Sequence, residues 1–442
     1  MRPLRKLAIR RASQWMIDRF DDSDGLGAIF PPIIWSIVAL KCLGHDNDSP
    51  HVRAALNELD NLMIPEGDTV RLQPCKSPVW DTAIATIALR DAGVTTNHPA
   101  IRKSVGWLMS KEVRRHGDWA VLNPGHEPSG WFFEFKNGFY PDTDDTSMVL
   151  MALCRALPAT SHGGWSAEFL LGDWSPHEAD KDAAAVISAR GQSPQVAYND
   201  LAAVTPQLTA IWRGARWLLA MQGKDGGWGA FDPDNNRELF TRVPFADHNA
   251  MIDPSTADLT GRMLELFGDL RLPLDHPAVQ KAIDFVWSRQ EQDFCWYGRW
   301  GVNYIYGTWQ CLVGLTQVGI SVDDPRIRAA AGWLKSKQHS SGGWGETPRS
   351  YDEPSLRGQG EPTASQTAWA LLGLMAAGEA DSQAVANGVN FLLQTQQDDG
   401  TWIEPCFTGT GFPRVFYLKY HLYRIYFPLM ALARYARVRQ EL

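Results

Sequence analysis

The sequence predicts an all-α fold, an α/α-barrel (toroid) of helical hairpins, and three recurring phrases predict it. The first is a turn residue, usually followed by Pro, then an aliphatic and an amphipathic run. It reads DSPHVRAALNEL from Asp48, NHPAIRKSVGWL from Asn97, DHPAVQKAIDFV from Asp275, DDPRIRAAAGWL from Asp323 and DSQAVANGVNFL from Asp381. A polar residue before Pro starts a helix, because Pro lacks only an N–H that would be unpaired there. The second phrase is Gln, a few polar residues, Gly and Trp: Gln222 to Trp228, Gln338 to Trp344 and Gln396 to Trp402. A weaker copy runs from Gln290 to Trp296, and a degenerate one ends at Gly117-Asp118-Trp119. Its glycines mark a turn between helices, so these residues read as structural.

The third phrase opens a helix: Trp80-Asp81-Thr82, Asp144-Asp145-Thr146, Asp258-Leu259-Thr260, Gly307-Thr308 and Gln366-Thr367. Each leads into small or apolar residues, such as AIATIAL and AWALLGL, and a helix apolar on most sides is buried. The unit is therefore an amphipathic outer helix, a Gly-Trp turn and a buried inner helix. No stretch alternates as a strand series would. A closed ring of such hairpins is a barrel, and an open solenoid is the competing geometry. The interval from Thr146 to Thr260 is about twice the usual one. Its Ala/Ser/Gly-rich segment, residues 158–206, reads as an inserted loop with some helix.

Composition excludes several classes. A net charge of −8 over 442 residues argues against a nucleic-acid binder with a broad basic face. With 44% hydrophobic and 21% charged residues the chain is neither disordered nor fibrous. The six cysteines are scattered without a C-x-x-C, which suits reduced, buried thiols in a cytoplasmic protein, and the histidines include no H-E-x-x-H. No metal or organic cofactor is expected. The N-terminal MRPLRKLAIRRASQW is basic but lacks the uncharged apolar core of a signal peptide. The longest apolar stretch, Gly27 to Leu40, carries Pro31-Pro32 and is too short to span a bilayer. The protein is soluble or lies on a membrane surface. Its unusual feature is aromatic content: 19 Trp, 18 Phe and 11 Tyr.

The sharpest local feature is Tyr140-Pro-Asp-Thr-Asp-Asp-Thr146, with carboxylates at Asp142, Asp144 and Asp145 just before a buried helix. One reading is ordinary capping, since Trp80-Asp81-Thr82 shows the same device without an acid cluster. The other is chemical. Three carboxylates crowded at one end of a barrel cannot all ionise, so one keeps a proton. A strong proton donor also needs its conjugate base stabilised, by the N-terminus of a helix beginning near Thr146 and by a cation, Arg262 or Arg299. Such a site could protonate an alkene. The resulting carbocation would be held by aromatic faces, each worth about 0.5–2 kcal/mol, in a cavity that excludes water. Core packing is the alternative reading of any single aromatic.

Together these residues resemble the squalene–hopene cyclase family of class II triterpene cyclases. The carriers are Pro-Asp-Thr-Asp-Asp-Thr (141–146), the Gln-to-Trp phrases, Gly-Gly-Trp-Gly-Ala-Phe-Asp (226–232), Gly-Arg-Trp-Gly-Val-Asn-Tyr-Ile-Tyr-Gly-Thr (298–308) and Thr-Gly-Thr-Gly-Phe-Pro (408–413). The resemblance runs along essentially the whole chain. It implies polycyclisation of squalene, or a related polyprenyl lipid, to hopene or hopanol by direct alkene protonation. Asp144 would be the proton donor, flanked by Asp142 and Asp145, with Asp258 and Arg262 in the surrounding hydrogen-bond set. Tyr306 and Trp300 would line the acid end. Phe133, Trp80, Phe231, Phe412, Phe416, Tyr420 and Tyr423 would stabilise successive cations or shape the cavity, and Phe245 would constrict the entrance.

Phe30 stands where well-studied members carry a Gln that orders water at the terminating end, which leaves the hopene-to-hopanol ratio open. The resemblance further implies two barrels, with residues 1–74 as the last hairpins of an incomplete second one and 75–442 as the acid-bearing barrel. The expected partners are the lipid and a membrane surface, with monotopic attachment on the cytoplasmic side, and no nucleic acid. A homodimer or a missing N-terminal chain is a further expected partner. Two other readings remain: an inactive fragment acting as a lipid- or partner-binding toroid, and an α/α-barrel glycosidase using paired carboxylates.

Overall fold

The computed structural model describes residues 2–20, 22–158, 194–243 and 251–441. Helices α1 (Arg2–Ile17), α2 (Phe30–Cys42) and α3 (Pro50–Asn61) come first. A small antiparallel hairpin follows, β1 (Met63–Glu66) with β2 (Thr69–Leu72). Next come α4 (Pro78–Asp91), α5 (Pro99–Ser110), α6 (Thr143–Ala156), α7 (Pro194–Ala220), α8 (Ala257–Asp269) and α9 (Pro277–Ser288). The chain continues through α10 (Tyr304–Gln317), α11 (Pro325–Ser336), α12 (Ala364–Ala376) and α13 (Gln383–Thr395). A second hairpin, β3 (Gly409–Phe412) with β4 (Phe416–Leu418), precedes α14 (Tyr423–Glu441).

The even-numbered helices from α4 to α14 are the inner ring. Each packs on the next, and α14 packs back on α4, so the ring closes and the barrel replaces the solenoid alternative. The seam is held by side chains more than three hundred residues apart in sequence. Trp80 Nε1 donates to Tyr423 Oη at 3.1 Å, Tyr426 Oη to Asp81 at 3.0 Å and Arg434 Nε to Asp91 at 2.7 Å. Helices α8 and α10 approach closely because Gly261 and Gly314 have no side chain: a Cβ on either would press into the other helix's backbone.

The outer helices start as the first phrase predicts. Pro opens α5, α9 and α11, with His98, His276 and Asp324 accepting the capping N–H, and Ser382 caps α13. The second and third phrases turn out to be two halves of one joint. The backbone N–H of the turn Trp donates to the Thr that opens the following inner helix: Trp228 to Thr260 at 3.2 Å, Trp296 to Thr308 at 3.0 Å and Trp344 to Thr367 at 2.9 Å. Each indole N–H donates to the carbonyl ten residues back, near the end of the preceding outer helix: Leu218, Val286, Leu334 and, for Trp402, Leu392.

The degenerate copy lies elsewhere than expected. Trp131, not Trp119, makes this joint, donating through its indole to Leu108 at 2.7 Å and through its backbone to Thr146 at 2.8 Å. Residues inserted between α5 and the turn lengthen the indole's reach and hide the spacing. Gly130, at φ +109°, makes the turn that an L side chain would resist. The all-α expectation holds, with two short hairpins added, of which β3–β4 carries Phe412 and Phe416. The insertion expected over 158–206 lies mostly outside the described residues, with α7 beginning at Pro194.

Helices α1 to α3 have a small apolar core of their own, around Ile33, Leu40 and Val52. They are tied to the loop before α6: Asp24 N donates to Lys136 O at 2.9 Å, Gly138 N to Asp22 O at 3.0 Å, and Arg115 pairs with Asp22 at 3.0 Å.

The phrase glutamines are unequal. Gln338 donates to Gly342 O and, across to the start of α13, to Ala384 O, whereas exposed Gln396 holds only Gly400 O. Gln338→Met is therefore expected to lower stability by about 1–3 kcal/mol through two unpaired carbonyls, and Gln396→Met by under about 1 kcal/mol. Urea unfolding of both variants checks this. Equal midpoints would contradict the joint as described.

Candidate active site

Because the inner helices all point the same way, their N-termini gather at one mouth and their C-termini at the other. The first mouth collects Trp80, the Asp142–Asp145 cluster, Asp258, Tyr306 and Tyr423, while Asp91, Arg155, Asp269 and Arg434 meet at the second. The first mouth thus presents the positive ends of several helix dipoles to its carboxylates.

Helix α6 begins at Thr143, three residues before the expected start, and the capping reading of its acidic phrase holds. Asp142 is the N-cap, accepting the Asp145 N–H at 2.7 Å. Asp144 makes a buried ion pair, its Oδ1 lying 2.5 Å from Arg262 Nε. Arg262, 1% exposed, donates from Nη2 to Tyr306 Oη at 2.6 Å and lies 5.0 Å over the Trp80 ring. Arg262 is therefore the cation beside the acid. Arg299 serves the wall instead, donating to Gly411 O and lying over Trp300 and Phe412. Asp258 accepts the backbone N–H of Arg299 at 2.7 Å and of Trp300 at 2.9 Å, which fixes the Trp300 loop against α8.

The electrostatics follow from burial. Asp144 is pushed up to about 6 by loss of water, with Asp258 pushing the same way and the Arg262 charge pulling it back. Asp142 is pushed up to about 7 by burial, against the bonds it accepts from Asp145. Asp145 rises well above the carboxylate range, through burial and then its neighbours Asp142, Asp144 and Glu134. Among these groups Asp144 alone has an arginine to stabilise its conjugate base, so it is the one placed to release a proton quickly.

The mouth opens into a cavity of about 820 Å³, within the range of roughly 300–1,000 Å³ usual for sites that enclose one ligand. Asp142, Asp144 and Asp145 reach it, as do Trp80, Phe133, Phe231, Trp300, Tyr306, Phe412, Phe416, Tyr420 and Tyr423. Asp258 and Arg262 stand behind this wall. Phe245 lies outside the described residues. The rings are continuous: Phe133 is 6.4 Å from Trp80 and 6.1 Å from Tyr420, and Tyr420 stacks on Tyr423 at 4.2 Å. Trp15, Met16 and Trp35 of α1 and α2 line the same cavity.

Sequence reasoning missed Glu134, which lines the cavity, is buried, accepts from Asn137 Nδ2 at 3.0 Å and is pushed up to about 8 by loss of water. It also missed Cys75 and Tyr140 in the lining. The signal for Glu134 was its place between Trp131 and the acid cluster, in a phrase otherwise aromatic. Among the described residues no group of three His, Cys, Asp or Glu is arranged to hold a metal.

Fold and site together define a closed α/α barrel whose helix-dipole mouth holds a carboxyl cluster against an aromatic cavity. A family model described as squalene-hopene cyclase C-terminal domain matches residues 76–162 and 154–437, and one described as squalene-hopene cyclase N-terminal domain matches residues 1–68. The chain belongs to the squalene-hopene cyclase family. It is 41% identical over 99% of its length to a squalene–hopene cyclase of Bradyrhizobium diazoefficiens, covering 60% of that protein. It is 36% identical over 98% of its length to a squalene–hopene cyclase of Alicyclobacillus acidocaldarius, covering 62%. It is also 38% identical over 98% of its length to a dammaradiene synthase of Dryopteris crassirhizoma, covering 60%. The chain thus spans about three fifths of the length of these relatives.

Two expectations follow from the charges. Asp144 holds its proton below about pH 6 and loses it above, so proton-donor activity falls as pH rises through that value. In Arg262→Gln the pull on the carboxylate is gone, so the midpoint moves to higher pH while the plateau rate drops, since a less stabilised conjugate base makes a weaker acid. A pH–rate profile of both proteins checks the opposed shifts. Glu134, at 4.5 when unfolded and about 8 when folded, adds stability that is full at pH 4 and is lost as pH rises toward 8. Glu134→Gln is expected to flatten that decline in thermal melts at pH 4 to 8, and an unchanged slope would count against a protonated Glu134.

Proposed function

We propose that this chain cyclises squalene or a related polyprenyl lipid by direct alkene protonation and a carbocation cascade. The observation that carries the reading is the Arg262–Asp144 pair at the tip of the aromatic cavity. The sealed Oδ1 faces Arg262, which leaves the other carboxyl oxygen to carry the proton toward the cavity. The terminal alkene takes that proton with its π electrons, and Arg262 and the α6 N-terminus hold the carboxylate left behind. Each ring closure uses the electrons of the next alkene and moves the positive charge along the chain. Trp80, Phe133, Tyr420 and Tyr423 offer faces along that path, and the largely apolar wall keeps water from ending it early. Loss of a proton from carbon, or capture of water, ends the sequence.

The same reading assigns the lipid's source. Helices α1 and α2 line the cavity through Trp15, Met16 and Trp35, and Trp15 and Trp35 are exposed at its rim, with Leu4, Leu7 and Val38 exposed on the same two helices. This supports monotopic attachment to the cytoplasmic side of a membrane, with residues 1–74 as the unit that meets the lipid. Among the described residues no helix is long and apolar enough to cross a membrane.

The test is incubation of the detergent-purified chain with squalene, extraction and GC–MS beside Asp144→Asn. Polycyclic product from the chain, reduced at least a thousandfold in the variant, is the expected result. Folded protein that yields no product would overturn it and favour a lipid-binding toroid, and an active Asp144→Asn would overturn Asp144 as the proton donor.

A further inference from the structure

Two carboxylates in the segment that leads into α8 each grip a cavity loop by its backbone. Asp258 accepts the N–H groups of Arg299 and Trp300, as described above. Asp253, earlier in the same segment, grips a second loop. Its Oδ1 accepts the Ala230 N–H at 3.1 Å, and its Oδ2 accepts those of Phe231 at 2.5 Å and Asp232 at 2.9 Å. Ala230 and Phe231 line the cavity, and Asp253 stands behind them. The Asp253 N–H donates to Asn235 O at 2.8 Å, which ties the carboxylate's own backbone to the far end of the loop. Gly229 permits so close an approach, because a Cβ there would lie 2.5 Å from Asp253 O.

The carbonyls of the same loop are held by α6. Thr143 N donates to Ala230 O at 2.8 Å, and Thr143 Oγ1 donates to Gly229 O at 2.7 Å. Thr143 is fully buried and directly precedes Asp144. The loop is therefore clamped on both sides, its N–H groups by Asp253 and its carbonyls by the helix that carries the acid. The clamp matters because Phe231 is 41% exposed. Neighbours cover only part of its ring, so the backbone decides where the ring points.

We propose that Asp253 is a positioning residue that sets how many rings close, by fixing Ala230 and Phe231 relative to Asp144. The inference rests on the cyclase reading above. At each stage of a cascade the cation either meets the next alkene or loses a proton. Ring closure needs the reacting carbons held close and aligned, and a misplacement of about 1 Å costs roughly a hundredfold in rate. A ring face also attracts a cation only within about 6 Å of its centroid. A wall that has shifted leaves the chain loosely folded, so proton loss wins at an earlier stage. In either branch the proton given by Asp144 is matched by one lost from carbon, and only the ring count changes.

Asp253→Asn keeps the volume, but an amide presents N–H groups where one of the two carboxylate oxygens stood, so at least one loop N–H loses its acceptor. In hydrogen exchange read by mass spectrometry, the peptide covering residues 226–234 is expected to exchange about fivefold faster or more, while peptides from α6 and α10 keep the parent rate. With squalene, the pentacyclic share of the product falls about fivefold or more in favour of products with one to three rings. The pH midpoint of total squalene consumption stays at the parent's value, because the Asp144–Arg262 pair is untouched. Gly229→Ala parts the same joint from the loop side and is expected to move both readouts in the same direction. A purely structural role would lower total turnover and leave the product ratio alone. That result overturns the proposal, as does unchanged exchange at 226–234 in both variants. A parent chain that consumes no squalene defeats the cyclase reading and the ring count with it, while the exchange measurement still decides whether Asp253 holds this wall.

Discussion

The buried pair of Arg262 and Asp144 is the constraint around which the barrel is arranged. Taking both charges out of water costs several kcal/mol per ion, and attraction repays that only with good geometry and further bonds. The fold supplies them from separate elements: the dipole of α6, the Tyr306 hydroxyl on α10, and the Trp80 face on α4. Neither protonation state is comfortable. An ionised Asp144 keeps a carboxylate in a dry site, while a protonated one leaves Arg262 with less compensation. Each pKa unit between these states corresponds to about 1.4 kcal/mol, so a pair poised near pH 6 holds its proton weakly enough to lose it. That poise is what separates this acid from Asp145, which is more deeply buried and has neighbouring carboxylates in place of an arginine.

Much of this was legible because repeats convert long-range structure into local spelling. Pro after Asp or His marks the outer helices, and apolar runs after Thr mark the inner ones. The Gln, Gly and Trp between them are the joint, with Trp228, Trp296 and Trp344 each handing a backbone proton to the Thr that opens the inner helix that follows. Closure of the ring was not legible. It depends on Tyr423 and Tyr426 meeting Trp80 and Asp81, a contact across nearly the whole barrel with no sequence periodicity to announce it.

The misreadings have physical reasons. Trp119 has the right local letters, but Trp131 has the right partner, because an insertion lengthens the loop while Leu108 and Thr146 stay in place. The β3–β4 hairpin is too short and Gly-rich for alternation to show, yet it hangs Phe412 and Phe416 in the cavity. Arg299 and Arg262 were equivalent as letters. Position decides between them: Arg262 is one turn into α8, facing α6, while Arg299 lies in a loop and is spent on Gly411 O. Glu134 escaped because a lone carboxyl among aromatics has no spacing to betray it.

The position two residues beyond the turn Trp differs around the ring, and beyond Trp296 it is Gly298. After Trp344 and Trp402 it is Glu346 and Glu404, buried carboxylates that accept backbone N–H groups at the starts of α10 and α12. After Trp131 and Trp228 the same position is Phe133 and Ala230, and both line the cavity. Where the ring needs only to be stable, the site is filled by a capping acid; where it meets the cavity, the acid is replaced by an apolar group and the charge moves to Asp144. A carboxylate at 133 or 230 would put a further buried charge into this apolar wall. The barrel therefore separates its charges by level. Glu346, Glu404 and the far-mouth carboxylates lie outside the cavity, Asp142, Asp144, Asp145 and Glu134 gather at its acid end, and aromatic faces line the rest.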